Sequence, residues 1–269
     1  MMIRTAIGPY QLVRPLGRGG MAEVHLAISH GASGFERQVA IKTLAPELAA
    51  EAELERALIH EAVLGGGLHH RNLIAVLGLG VADGGYYVVL EYVDGGDLAA
   101  RLAGPIAEPL ALHVVHEVAL GLAYLHAARD GRGLPLAIVH RDVSPANVLV
   151  STSGDVKLAD FGVAKATALA DRTAAADQFG LGAMIVELVT GRRPFAGETP
   201  WALLDAIRGG PALDGLAADL HAIASRALAP AATDRFATVS ELGDAIAAAQ
   251  RAREPAGPVE LAANPPRRR

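Results

Sequence analysis

The stretch HRDVSPANVLVSTSGDVKLADFG, His140 to Gly162, holds the densest set of residues able to do chemistry. Asp142 and Asn147 lie five apart on a proline-containing loop, and Asp160 follows a second short apolar run. Val148–Val150 and Val156–Leu158 read as the arms of a hairpin over STSGD, so the acid, the amide and the second acid gather at one end of it. Oxygens of Asn and Asp are hard ligands of the kind Mg²⁺ takes, and a carboxylate beside a hydroxyl accepts its proton. Asp, Asn, Ser and Pro also favour turns, which accounts for any one of them but not for the full set in this order.

Two further groups add to this set. The chain has only three lysines, Lys42, Lys157 and Lys165, so a lysine kept in the apolar run VAIK carries weight. Alternation along a strand puts Val39 and Ile41 on one face and Ala40 and Lys42 on the other. In the segment that follows, Leu54, Leu58 and Glu61 fall at helical spacing on one stripe. An acid on an inward stripe is costly unless paired, and Lys42 is the partner expected for Glu61. Upstream, LGRGGMAEVHLA places Gly17 and Gly19 between two strands, where a bare backbone can offer N–H groups to phosphate. Taken alone, that loop reads more readily as a turn with no ligand, since glycine-rich hairpins are common between strands.

The elements needed to hold these groups are legible on either side. Tyr10–Leu16, Val24–Ile28 and Val39–Leu44 read as strands, and Ile74–Leu79 with Tyr86–Tyr92 as a hairpin over ADGG. Pro46–Leu64 reads as a helix stopped at Gly65-Gly66-Gly67. After Val93 the pattern turns helical, over Leu110–Arg129, Gln178–Thr190, Trp201–Arg208, Ala218–Ala229 and Val239–Arg251. Gln178–Thr190 is apolar nearly all round, as expected of a helix buried in a core, and Gly191 ends it. The expected fold class is α+β, with a small β-rich lobe over 10–92, a larger helical lobe over 93–250, and a disordered tail over 251–269.

Composition narrows the functions available. With 51% hydrophobic and 20% charged residues the chain should fold, and its formal net charge of −5 argues against a general grip on nucleic acid. It has no cysteine, which excludes thiolate catalysis and Cys-ligated metals and favours a reducing compartment. No targeting run opens the sequence, and the apolar run Leu181–Val189 is too short to span a bilayer. The expectation is a cytoplasmic protein with no membrane segment.

The order G-x-G-x-x-A-x-V, V-A-I-K, a helical Glu, H-R-D-x-x-x-x-N and D-F-G resembles the signature set of protein kinases. The wording GRGGMAEVHLA and HRDVSPANVLV is similar to that of the bacterial branch of eukaryotic-type Ser/Thr kinases. The resemblance runs from about Tyr10 to about Ala249 and implies a two-lobed protein-kinase-like fold using ATP and Mg²⁺. It implies that Leu16, Gly17, Arg18, Gly19, Gly20 and Val24 cover the ATP phosphates, with Ala40 under the adenine. Leu90, Glu91 and Val93 would line the connection between the lobes, and Asp97 would meet the ribose. Lys42 would hold the α- and β-phosphates, fixed by Glu61. Asp142 would orient and deprotonate the substrate hydroxyl, Asn147 and Asp160 would bind magnesium, and Asp177 would anchor the backbone of the His140-Arg141 loop.

The chain also departs from that pattern. Asp160 and Asp177 are seventeen positions apart, and the segment between them holds no A-P-E or S-P-E motif. Arg235 matches the late arginine that in the family pairs with the glutamate of A-P-E, so it is expected to lack its partner and to matter little for stability. Ser144 stands where most Ser/Thr kinases have a lysine, and Arg141 would receive a phosphorylated threonine, with Thr167 and Thr173 the candidates. Three readings follow: a Ser/Thr protein kinase acting on a protein substrate, a nucleotide-binding pseudokinase, or a small-molecule kinase of the same fold. The intact Lys42, Glu61, Asp142, Asn147 and Asp160 favour the first, and the short segment leaves room for a regulatory partner.

Overall fold

A computed structural model describes residues 5–102, 104–160 and 173–253. The chain divides into two compact units: one runs to His70 and takes in Ile74–Tyr92, and the other takes Arg71–Leu73 and continues from Val93.

The first unit is a six-stranded antiparallel sheet with one helix. β1 (Ala6–Ile7), β2 (Tyr10–Arg18), β3 (Ala22–His30) and β4 (Glu36–Leu44) are followed by α1 (Ala52–Gly65), β5 (Val76–Ala82) and β6 (Gly85–Glu91). The order is β1-β2-β3-β4-β6-β5, so the chain leaves β4, makes α1 and the edge strand β5, and returns to pair β6 with β4. The β5–β6 turn is Asp83-Gly84, both with positive φ (52° and 80°), the conformation a two-residue hairpin turn demands. Val39 and Ile41 pack on one face with Ile7, Ala27, Tyr87 and Val89. On the opposite face Val88 meets Leu58 and Ala62 of α1, which is the face alternation assigns to Lys42. Each fully buried aliphatic side chain such as Ile41 contributes about 1.5–3 kcal/mol.

The Pro46–Leu64 segment is not one helix. Pro46–Leu48 forms a separate 3₁₀ turn, and α1 starts only at Ala52, because the proline favours a first turn that the following residues do not extend.

The second unit opens with β7 (Gly95–Asp97) and α2 (Leu98–Arg101), neither of which the sequence pattern announces. α3 (Glu108–Ala127) follows, then β8 (Val148–Ser151), β9 (Val156–Leu158), α4 (Ala174–Thr190), α5 (Pro200–Gly209), α6 (Ala218–Ala227) and α7 (Val239–Arg251). The three short strands form a sheet in the order β7-β8-β9. By length and composition alone α3 could cross a membrane. Its buried Leu112, Val114, Val115, Val118, Leu122 and Leu125 instead place it in the core of this unit. α4 ends at Gly191 in the left-handed conformation, with φ 69°.

Candidate active site

Each unit carries its own group of candidate residues. In the first, Leu16, Gly17 and Arg18 close β2, and Gly19 N–H donates to Ala22 O at 2.9 Å to form the loop into β3. Gly17 pairs with Val24 and Arg18 with Glu23 across the hairpin. A Cβ at Gly17 or Gly20 would meet nothing within 4 Å, so neither glycine is needed to pack this unit and the loop backbone is left open. Ala40 is buried and pairs with Leu90, while Val39 pairs with Glu91. Lys42 Nζ donates to Glu61 Oε1 at 2.8 Å, joining β4 to α1, and both side chains are nearly buried (9% and 14% exposed). At that depth neither charge is tolerated without the other.

In the second unit the centre is Asp177, in the first turn of α4 and fully buried. Its Oδ2 accepts from His140 N–H at 2.9 Å and lies 2.7 Å from His126 Nε2, and its Oδ1 accepts from Arg141 N–H at 2.7 Å. The loop anchor expected at Asp177 is therefore formed, and it holds Arg141 in a left-handed conformation, φ 67°. Gly180 is essential to the same fit: a Cβ there would come within 2.7 Å of Val143 Cβ and 2.8 Å of Val143 O.

From that anchor the polar residues follow. His140 is fully buried; its Nε2 lies 3.0 Å from Ala159 O, and its Nδ1 accepts from Asp142 N–H at 3.3 Å. The network assigns a neutral ring with the proton on Nε2, and burial pushes the imidazole below its ordinary range. Asn147 Nδ2 donates to Asp142 O at 2.7 Å and to Asp142 Oδ2 at 2.6 Å. That orients the Asp142 carboxylate and leaves the Asn147 carbonyl oxygen as a hard donor. Asn147 O also accepts from Ala159 N–H at 2.8 Å, which ties the loop to the end of β9. Asp160 comes next, exposed and in the left-handed region at φ 57°. Asn147 and Asp160 supply an amide oxygen and a carboxylate, a donor set that suits Mg²⁺, which takes one or two carboxylates and keeps waters or phosphates on its other positions. Among the described residues no group of three His, Cys, Asp or Glu side chains makes a metal cage.

Other residues have structural positions of their own. Asp97 caps α2, accepting from Ala100 N–H at 2.7 Å. Val93 opens the second unit and is half-buried. Thr173 stands at the N-cap of α4, and Thr167 lies outside the described residues.

Arg235 corrects an expectation. It donates to Ala229 O at 2.8 Å, Ala175 O at 2.8 Å and Pro230 O at 3.3 Å, and its guanidinium lies 5.1 Å from the centre of the Phe179 ring. Backbone carbonyls and an aromatic face engage the guanidinium without the A-P-E motif, so Arg235 links the start of α4 to the loop between α6 and α7. His126, a residue that pattern reading missed, lies in the last turn of a long apolar helix that also carries His113 and His116. The only available signal was that it falls in the final turn of α3, where a polar ring on a buried helix needs a partner.

The comparisons agree on what this arrangement is. The family profile described as Protein kinase domain matches residues 10–173. The chain is 36% identical over 274 residues to the tyrosine-protein kinase MasK of Myxococcus xanthus, covering 89% of this chain and 42% of the relative. It is 33% identical over 219 residues to the serine/threonine-protein kinase PrkC of Bacillus subtilis, covering 71% and 32%. The solved kinase domain of PknI from Mycobacterium tuberculosis superposes with a TM-score of 0.71 at 31% identity, over 92% of this chain and 99% of that one. The fold and the catalytic-loop geometry define a protein kinase domain. The chain belongs to the protein kinase family, and it spans less than half the length of the curated relatives it matches.

Proposed function

We propose that residues 10–250 of this chain form an ATP-dependent serine/threonine protein kinase domain, with α7 as its last helix. The observation that carries the reading is the Asp142 carboxylate, oriented by Asn147 on a loop that the buried Asp177 fixes. In transfer, the acceptor oxygen forms a bond to the γ-phosphorus as the bond to the bridging oxygen of ADP breaks. The acceptor's proton passes to Asp142, whose Oδ1 is not the oxygen bonded to Asn147. Lys42, held by Glu61, takes the α- and β-phosphates, and the Gly17–Gly20 loop covers them. Asn147 and Asp160 would hold a magnesium ion, which would supply positive charge against that developing on the phosphates. The absence of cysteine supports a cytoplasmic placement of the domain.

A second acceptor class has specific support. MasK is named a tyrosine-protein kinase, and Ser144 leaves the catalytic loop without the lysine ammonium expected of most Ser/Thr enzymes. A phenol ionises more readily than an alcohol, so its transfer leans less on such a charge. The test is transfer of radiolabelled γ-phosphate to the protein itself and to a generic basic protein, followed by acid hydrolysis and separation of the phosphoamino acids. Label on serine or threonine that vanishes in Asp142→Asn is the expected result. Phosphotyrosine would move the acceptor class, and no transfer despite nucleotide binding would leave a pseudokinase.

A further inference from the structure

The glycine-rich loop carries a charge cluster that the roles above do not use. Arg18, between Gly17 and Gly19, is exposed, yet its guanidinium is engaged by two carboxylates. Its guanidinium lies 3.3 Å from Glu23 Oε1 across the hairpin and is hydrogen-bonded to Glu47 Oε1. Glu47 belongs to the Pro46–Leu48 turn, and that turn is itself fixed to the loop: Ala45 N–H donates to Met21 O at 3.0 Å and Leu48 N–H to Ala45 O at 2.8 Å. Both acids are therefore built in beside the loop. The Glu47 carboxyl lies below the ordinary carboxylate range, held there first by its own backbone N–H and then by Arg18.

We propose that Arg18, Glu23 and Glu47 form an electrostatic gate on the glycine-rich loop, in which Glu47 ties up the guanidinium that would otherwise face an incoming triphosphate. The inference rests on the loop being the phosphate-binding loop of the proposed kinase. The charge count is simple: two carboxylates and one guanidinium leave the loop with a net −1, an unfavourable field for a polyanion. Neutralising Glu47 brings the cluster to zero and leaves Arg18 paired with Glu23 alone. Neutralising Arg18 leaves −2. Neutralising both returns the cluster to −1. The groups are exposed, so the effect is modest and depends on salt.

This pattern separates the gate from a plain structural staple. A staple predicts that loss of either partner loosens the loop and weakens nucleotide binding together. The gate predicts opposite signs. The experiment is calorimetric binding of Mg·ATP to the whole chain and to Glu47→Gln, Arg18→Gln and the double variant, at 20 mM and 300 mM salt, with melting curves to confirm folding. Expected at low salt are about three-fold tighter binding for Glu47→Gln, about three-fold weaker for Arg18→Gln, and near wild-type affinity for the double variant. At 300 mM the differences should shrink. Single variants that shift in the same direction, or not at all, overturn the gate while leaving the kinase reading intact. A wild-type chain that binds no nucleotide overturns both.

Discussion

The two units hold their reactive groups in different ways. In the first, Lys42 and Glu61 meet as an ion pair between a strand and a helix, and that helix buries only Leu58, Ala62 and Gly65. In the second, Asp177 rises from a helix with eight buried residues and collects His140, Arg141 and His126 on one carboxylate. A pair joins two elements and can be replaced by another pair of matching shape. A hub fixes the backbone of a loop, and no single neighbour can substitute for it. In the proposed reaction, phosphate binding can tolerate the first arrangement, because the phosphates would also meet the glycine loop. The proton transfer proposed at Asp142 needs the second, because a displacement of about 1 Å at the reacting group can cost about a hundred-fold in rate.

Breaking the hub should have the largest effect. Asp177→Asn preserves shape but presents one acceptor oxygen to three donors and turns an amide N–H toward another N–H. We expect a loss of about 3 kcal/mol or more in denaturant unfolding, together with loss of detectable phosphate transfer. Full transfer activity in this variant would mean that the His140-Arg141 loop holds its shape without the carboxylate.

The pair should behave otherwise. Lys42→Met takes the ammonium partner at 2.8 Å away from the nearly buried Glu61, and should cost about 2 kcal/mol along with at least about a hundred-fold in kcat/KM. In Lys42→Met/Glu61→Gln the buried carboxylate charge is gone as well, so most of the stability should return while turnover stays low. Denaturation and initial rates on both variants decide it. If stability does not recover in the double variant, the distinction between a replaceable pair and an irreplaceable hub collapses.

The same contrast explains what sequence reading could reach. Lys42 and Glu61 are legible because each sits on a periodic element: alternation sets the face of Lys42, and the Leu54–Leu58–Glu61 stripe sets that of Glu61. The link between Asp142 and Asn147, and from Asn147 to Ala159 beside Asp160, is legible because their spacing around a hairpin leaves few alternatives. The contacts of Arg235 are not, since its acceptors are backbone carbonyls, which every residue carries. α2 and β7 are too short, at four and three residues, to show a period. α4 begins at Ala174 rather than Gln178 because its first turn is small and polar, without the apolar stripe that marks the rest.

Arg235 then offers a test at intermediate scale. Arg235→Ala strands three carbonyls at the junction of α4 with the loop before α7, and should cost about 1–3 kcal/mol. Arg235→Lys, with a point charge in place of a planar fork, should recover only part. An alanine variant as stable as wild type would restore the reading in which this arginine is left over from a lost contact.

The smallest effect should be one of pH, and it follows from how the hub loop is buried. His140 is neutral in the folded state because burial disfavours the imidazolium, so its folded pKa lies below its unfolded value of about 6.5. Below that value the unfolded chain takes up a proton that the folded chain refuses. Stability should therefore fall as pH drops from about 6.5, with a slope from this group approaching 1.36 kcal/mol per pH unit. His140→Phe removes the titrating group along with its bonds to Ala159 O and Asp142 N–H, which lowers stability by an offset that does not depend on pH. The readout is the slope, measured in denaturant between pH 5 and 8. A variant with a flatter profile than wild type places the buried neutral imidazole among the forces holding the loop, whereas parallel profiles would mean that His140 accepts its proton in the folded protein and that water reaches the centre of the hub.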